Sequence, residues 1–125
     1  VDLLLARLRG AAPEKRISLY RFLAPMCCRA WFMLMVCENI EFVRRIIDVG
    51  SESGLSMQHW RHSVVISMKS TIDEILETAP ASNGDGAHME TLGVASTLFG
   101  NAVRQGPLGN GRAAYAAPVV AMDMG

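Results

Sequence analysis

Apolar residues recur every three or four positions along most of this chain before residue 106, which is the spacing of one face of a helix. Strands would instead require strict alternation of apolar and polar residues. The pattern predicts helices over 1–9, from Pro13 to about 24, over 26–38, from 40 to shortly before Gly50, over 56–79 and over 87–105. Asn39 can cap the helix that follows it, and Asp85 can cap the last one.

One run, from Phe22 to Cys37, is apolar at nearly every position. Burying each large side chain stabilises a fold by roughly 1.5 to 3 kcal/mol, so other parts of the chain must cover this run. Pro25 predicts a kink or break near residues 24–25. Arg29 must reach the surface, pair with an acid or meet a partner. A helix that is apolar all round is central. We expect part of its covering to come from the C-terminal tail or from a second subunit.

The last predicted helix carries two faces of different character. Leu92, Ala95 and Phe99 belong to its core-facing stripe, whereas Gly93, Ser96 and Gly100 share another side. Each glycine costs up to about 1 kcal/mol of helix propensity, and small residues let a second helix approach closely. The sequence therefore predicts a tight helix crossing at the small face.

The chain divides by composition at residue 106. Residues 1–105 form the predicted bundle, an all-α single domain of about five helices. Residues 106–125 are rich in Gly, Ala and Pro, have no helical period and offer only Tyr115, Val119 and Val120 as apolar anchors. They predict an extended, irregular and flexible C-terminal tail, unless a neighbouring subunit or a groove on the same domain holds it.

Charge narrows the classes of function. The 125 residues carry twelve basic and twelve acidic side chains, and half of them are apolar. This balance argues against a wholly basic nucleic-acid binder and against an acidic disordered chain. Residues 1–50 have a net charge of +3 and residues 51–100 of −4. The asymmetry fits either head-to-tail contact between subunits or two solvated helix faces.

Cysteine usage and the N-terminus indicate the compartment. Cys27, Cys28 and Cys37 cannot all pair within one chain, which favours an intracellular, reducing compartment or a particle assembled there. The N-terminus lacks a basic leader with an apolar core, so we expect a non-secreted chain. The central apolar run is short and is interrupted by Pro25 and Arg29, so we do not expect an integral membrane protein.

Candidate chemistry is sparse. His59 and His62 lie on one helix face and could supply two metal ligands. No further ligand stands at a suitable spacing, so a surface histidine pair is favoured over a metal or haem site. Adjacent cysteines followed by a distant third do not match a zinc motif. Nothing places a nucleophile, a base and an orienting group together. The sequence predicts a non-enzymatic protein without a metal or cofactor.

The leading functional prediction is a self-assembling structural subunit, coat-like or nucleoprotein-like, that forms a homo-oligomer. Ten of the twelve basic residues are arginine, whose planar fork suits phosphate and carboxylate groups, although codon bias gives the same ratio. The candidate contacts to nucleic acid or to a second subunit are Arg16, Arg21, Arg44, Arg45 and Arg61.

The alternative comes from a different class, a small-molecule-binding or sensing bundle. Its motivation is the methionine content, eight residues in all, because methionine-rich cores adapt to apolar ligands. The predicted pocket lining is Phe22, Met26, Trp31, Met35, Trp60 and Met68.

Overall fold

The computed structural model describes residues 1–78 and 86–109, apart from the side chains of 86–88. In these ranges the chain forms six α-helices and no strand, so the predicted all-α single domain is confirmed. The helices are α1 (Asp2–Gly10), α2 (Pro13–Met26), α3 (Ala30–Cys37), α4 (Ile40–Ile47), α5 (Leu55–Thr78) and α6 (Gly86–Gln105). A single 3-10 turn, Val49–Ser51, follows α4.

The long helix α5 is the central element, and it packs against α2, α3, α4 and α6. Its 24 residues extend about 36 Å at 1.5 Å per residue. Met57, Val64, Met68 and Ile72 are buried at helical spacing, which confirms the helix predicted from that stripe. These four helices therefore cover α5 on several sides.

Helix α6 lies against α5 through the predicted core stripe, with Leu92, Ala95 and Phe99 buried. The small face behaves differently from the prediction. A Cβ at Gly100 would lie 3.2 Å from the Lys69 side chain, whereas one at Gly93 would meet nothing within 4 Å. The prediction of a close crossing along the whole small face is therefore wrong at Gly93, which borders open space.

The break in the apolar run lies later than the sequence predicted. Helix α2 continues through Pro25 to Met26, because the Cys27 amide still donates to the Leu23 carbonyl at 2.8 Å. The chain then turns at residues 27–29, and the axes of α2 and α3 differ by 119°. Arg29 lies in this turn with an exposed side chain, which is how its charge avoids burial.

Helix α4 is capped as predicted by Asn39, whose side-chain oxygen accepts a hydrogen bond from the Phe42 amide at 3.1 Å. Phe42, Val43 and Ile46 are fully buried. Ile40, which the periodicity assigned to the core, is 42% exposed. It lies in the first turn of α4, where the helix reaches the surface.

The predicted tail does not begin at residue 106. Gly106 and Gly109 have positive φ angles of 77° and 86°, which favour glycine, and residues 106–109 turn back onto the fold. Pro107 is buried, and a Cβ at Gly109 would lie 2.8 Å from Val49. The remaining tail residues 110–125, with Tyr115, Val119 and Val120, lie outside the described residues, as do Ala79 and the proposed cap Asp85.

Candidate functional site

One face of α3 is both apolar and exposed. All eight residues of this helix, Ala30–Cys37, are apolar in character, yet Trp31 is 57% exposed and Met35 is 48% exposed. These two residues are four apart and therefore lie on the same side of the helix. The opposite side is buried and consists of Phe32, Met33, Val36 and Cys37. We call the exposed side, defined by Trp31 and Met35, the α3 face.

Trp31 is positioned by a neighbour in the core. Its ring packs against the buried ring of Phe32 with centroids 5.9 Å apart and planes at 85°, an edge-to-face contact. Such contacts restrict the indole without covering it. Phe22 on α2 is also 50% exposed, so another aromatic side chain of the same apolar run faces solvent. Part of the apolar run is therefore left exposed by the described chain, as the expectation of covering from the tail or a second subunit requires.

An open groove of about 230 Å³ adjoins the C-terminal end of α3. Glu38 lies seven residues after Trp31 and so falls on the side of the helix that carries the α3 face. Within the groove Ile40 and Val94 are 42% and 54% exposed, and the carboxylates of Glu38 and Glu90 are at the surface. The lining residues are Cys37, Glu38, Ile40, Val43, Glu90, Thr91, Val94, Ala95 and Leu98.

A buried ionic cluster lies at the corner where α2, α4 and the 3-10 turn meet. The side chain of Glu52 is completely buried and accepts hydrogen bonds from Arg16 Nε at 2.9 Å, Arg45 Nη2 at 3.1 Å and the Tyr20 hydroxyl at 2.6 Å. Arg45 also donates to Ser51 Oγ at 2.9 Å. One carboxylate thereby joins two helices to the segment before α5.

A second buried group, Arg61, continues this cluster into α5. It is only 1% exposed, and its guanidinium donates to Gln58 Oε1 at 2.9 Å, to the Ile46 carbonyl at 2.7 Å and to the Pro107 carbonyl at 3.3 Å. Gln58 in turn donates to the carbonyls of Val49 and Glu52, both at 2.6 Å. These bonds tie α4, α5 and the turn after α6 together.

The protonation states follow from this geometry. Burial would raise the pKa of Glu52, but hydrogen bonds from Arg16, Tyr20 and Arg45 outweigh it and the pKa is lowered. Burial, together with the hydrogen bond to Glu52, raises the pKa of Tyr20 to about 12. Burial also lowers the pKa of Arg61. Glu52 is therefore an ionised acceptor and Tyr20 a neutral donor, so this cluster stabilises the fold.

The five predicted arginine contacts separate into two groups. Arg16 and Arg45 bind Glu52, and Arg61 is buried, so these three hold their own chain together. Arg45, a candidate contact to nucleic acid or a second subunit, has a side chain that is only 9% exposed. Arg21 and Arg44 are exposed, and the Arg21 guanidinium lies 5.5 Å from the centroid of the Trp60 ring.

The predicted ligand pocket is dispersed in the structure. Met68 is fully buried, whereas Phe22, Trp31 and Met35 are about half exposed. Trp60 is half-buried and lines a shallow cavity with Ser56, His59 and Ser63. Met26 is half-buried near the end of α2. In the part of the chain that the structure describes, these side chains consequently do not enclose a common cavity.

The remaining candidate groups are the histidine, cysteine and acidic side chains. In residues 1–78 and 86–109, no three His, Cys, Asp or Glu side chains are arranged to hold a metal ion. Cys27 and Cys37 are buried, and burial raises their pKa values to about 12 and about 11. His62 Nδ1 is buried without a hydrogen-bond partner, and burial lowers the pKa of this imidazole. Among the acids, Asp73 binds Lys69 at 2.6 Å.

Within the described part of the chain, no single helix is long and apolar enough to cross a membrane; α2 and α3 pass that test only as a pair bent by 119°.

No protein-family model, curated protein or solved structure matches the chain.

Proposed function

We propose that this protein is a non-enzymatic structural subunit that assembles with copies of itself, and that the α3 face lies in the contact between subunits. The carrying observation is the half-exposed pair Trp31 and Met35 on a helix without a single charged residue. A helix that faces solvent normally carries charged and polar residues on that side. An apolar exposed side is instead the pattern of a helix that is covered by another surface.

The residue types support the same proposal. Tryptophan is among the residues most enriched at the energetic centres of protein interfaces, and methionine is enriched at interfaces in general. A buried aromatic side chain removes about 150 to 250 Å² of surface from water. The edge-to-face contact with Phe32 holds the Trp31 indole in place before any partner arrives. Less conformational freedom is then lost on association.

The experiment compares the self-association of the full chain with that of Trp31→Ala and Met35→Ala by light scattering. Ile66→Ala is the matched control, because Ile66 is 48% exposed like Met35 and lies on α5. Thermal unfolding of each variant checks that the fold is retained. We expect both α3 variants to shift the protein toward the monomer, and the control to associate like the parent chain.

Three results would overturn the proposal. One is a parent chain that remains monomeric at high micromolar concentration. Another is an unchanged assembly in Trp31→Ala and Met35→Ala. A monomer in solution that binds lipid vesicles through Trp31 would also overturn it, since the apolar face would then serve a membrane surface.

We further propose that contact with nucleic acid, if the assembly makes it, uses the exposed arginines Arg21 and Arg44. Their guanidinium groups reach solvent, whereas Arg16, Arg45 and Arg61 are occupied within the chain. Phosphate contacts depend strongly on salt. Binding of single-stranded RNA or DNA that weakens with salt and is reduced in Arg21→Gln/Arg44→Gln supports this part; no binding at low salt contradicts it.

A further inference from the structure

We infer that Arg21 and Trp60 hold one nucleotide of a single-stranded nucleic acid, with its phosphate on the guanidinium and its base against the indole. This inference rests on the proposed contact with nucleic acid and names the site that makes it. Arg21 lies on α2 with an exposed side chain, and Trp60 lies on α5, half-buried against the core. Arg21 Cζ is 5.5 Å from the centroid of the Trp60 ring.

The contact with Trp60 positions Arg21 while leaving its hydrogen-bond donors unused. The negative face of an indole attracts a guanidinium that lies within about 6 Å of the ring centroid. In the part of the chain whose side chains are described, no residue forms an ion pair with Arg21 or accepts a hydrogen bond from it. Its planar fork of N–H groups can therefore bind a phosphate through two parallel hydrogen bonds.

The other side chains near Trp60 suit a nucleobase. Trp60 lines a shallow cavity of about 270 Å³ together with Ser56, His59 and Ser63. These four residues stand at i, i+3, i+4 and i+7, so they share one face of α5. Unpaired bases are recognised by stacking on an aromatic ring and by hydrogen bonds to their edges, and the two hydroxyls and the imidazole offer such bonds. A membrane-binding face would carry apolar residues at these positions.

The surface around Arg21 lacks acidic residues on both helices that meet there. Residues 15–26 of α2 and residues 55–72 of α5 contain arginine and lysine but neither aspartate nor glutamate. Glu52, which accepts hydrogen bonds from α2, is completely buried and ion-paired. No carboxylate on these two segments therefore repels an anion that approaches Arg21.

Arg44, the other arginine of the proposed contact, has acids beside it. It lines a cleft with Glu41 and Asp48, and Glu41 is paired with Arg9 at 3.4 Å. These carboxylates offset positive charge in the cleft, so we expect a phosphate to gain less there than at Arg21. Arg44→Gln is consequently a matched control for Arg21→Gln, because both remove an exposed arginine and only the surroundings differ.

Binding of a labelled thymidine oligonucleotide at low salt, followed by fluorescence anisotropy, tests this site. The matched ligand is an abasic strand of the same length, which keeps the phosphates and lacks the bases. We expect the abasic strand to bind about fivefold more weakly or worse. Trp60→Leu should lower the affinity for the thymidine strand by a similar factor and leave that for the abasic strand unchanged. Arg21→Gln should weaken the binding of both strands, and by more than Arg44→Gln does.

Two further measurements separate binding from folding. Thermal unfolding confirms that each variant is folded, and Trp60→Phe, which keeps an aromatic ring, should retain most of the preference for the thymidine strand. The chain has two tryptophans, so in a Trp31→Phe variant the tryptophan fluorescence comes from Trp60 alone. We expect the thymidine strand to quench this fluorescence and the abasic strand to leave it unchanged.

The outcomes separate this inference from the proposed function. Equal binding of the two strands, or unchanged binding in Trp60→Leu, would overturn the inference while leaving a contact with nucleic acid through phosphates in place. Thymidine monophosphate that binds as tightly as the strand would also overturn it, because the site would then serve a free nucleotide. Binding of anionic lipid vesicles in place of the strand would do the same. A chain that stays monomeric yet shows the expected differences would contradict the proposed self-assembly and leave this site standing.

Discussion

At the scale of single residues, the fold depends on the buried carboxylate of Glu52. It satisfies Arg16 and Arg45, which come from different helices, and it anchors the Tyr20 hydroxyl. In the sequence Glu52 is a lone acid among Ser and Gly, which is the usual composition of an exposed loop. Its burial depends on tertiary contacts that no local pattern encodes.

Replacing Glu52 by Gln is expected to reduce the free energy of unfolding by about 3 to 5 kcal/mol, because the variant leaves two arginines without their anion in a mostly buried site. Urea unfolding at neutral pH measures the loss. Glu41→Gln is the control, since the exposed Arg9–Glu41 pair at 3.4 Å should contribute less than about 1 kcal/mol. Equal losses in the two variants would contradict the role given to Glu52.

The pH dependence of stability provides a second prediction, at His62. Its pKa lies below the ordinary value of 6.5 because of burial and the nearby charges of Arg61 and His59. The unfolded chain therefore binds a proton first as the pH falls. Stability contributed by the neutral imidazole is present above pH 6.5 and is lost as the pH drops toward the pKa in the folded state.

We expect His62→Gln to unfold with a weaker dependence on pH in the range just below pH 6.5 than the parent chain. Thermal melts across this range, taken as the difference between the two proteins, isolate the histidine from the carboxylates. Identical slopes would show that His62 titrates in the folded protein as it does in the unfolded chain.

The burial of Arg61 could have been predicted from the sequence. Met57, Arg61, Val64 and Met68 follow one another at intervals of four, three and four, so the arginine stands within the buried stripe of α5. That register predicts a buried guanidinium. The presence of Trp60 next to it gave an equally good apolar period and concealed the signal. The three backbone and side-chain acceptors of Arg61 are determined by the packing of α4 and the turn at Pro107.

At the scale of helices, strong periodicity predicted the elements well, and tertiary packing decided the details. The limits of α5 and the core stripe of α6 follow from the spacing of large apolar residues. The end of α2 does not follow from this spacing, because the last turn of a helix tolerates Pro25, which lacks an amide proton. Which residues of the apolar run would form the exposed α3 face could not be predicted, since an apolar run does not say which neighbours are present.

The small face of α6 gives a prediction at this scale. Gly93→Ala should raise the free energy of unfolding by about 0.5 to 1 kcal/mol, because the added methyl group meets nothing and alanine favours the helix. Gly100→Ala should gain less, since its methyl group would press on the Lys69 side chain at 3.2 Å. Urea unfolding compares them, and a loss of stability in Gly93→Ala would show that another surface contacts α6 there.

At the scale of the whole molecule, charge and apolar surface are distributed unevenly. The ionic cluster around Glu52 and Arg61 stabilises the corner of α2, α4 and α5. The α3 face and its groove remain uncovered by the described chain. Exposed apolar patches bordered by charged residues are typical of interaction surfaces. The exposed α3 face is the basis of our proposal that this protein assembles with a second copy.

Hydrogen exchange of the full chain, measured in dilute and in concentrated solution, tests whether a second copy covers the α3 face. We expect the amides of α3 and of the groove residues on α4 and α6 to exchange more slowly in the concentrated sample, and the exposed side of α5 around Ile66 not to change. Identical exchange of α3 at both concentrations, while the protein is shown to be assembled, would place the contact elsewhere and contradict the proposed interface.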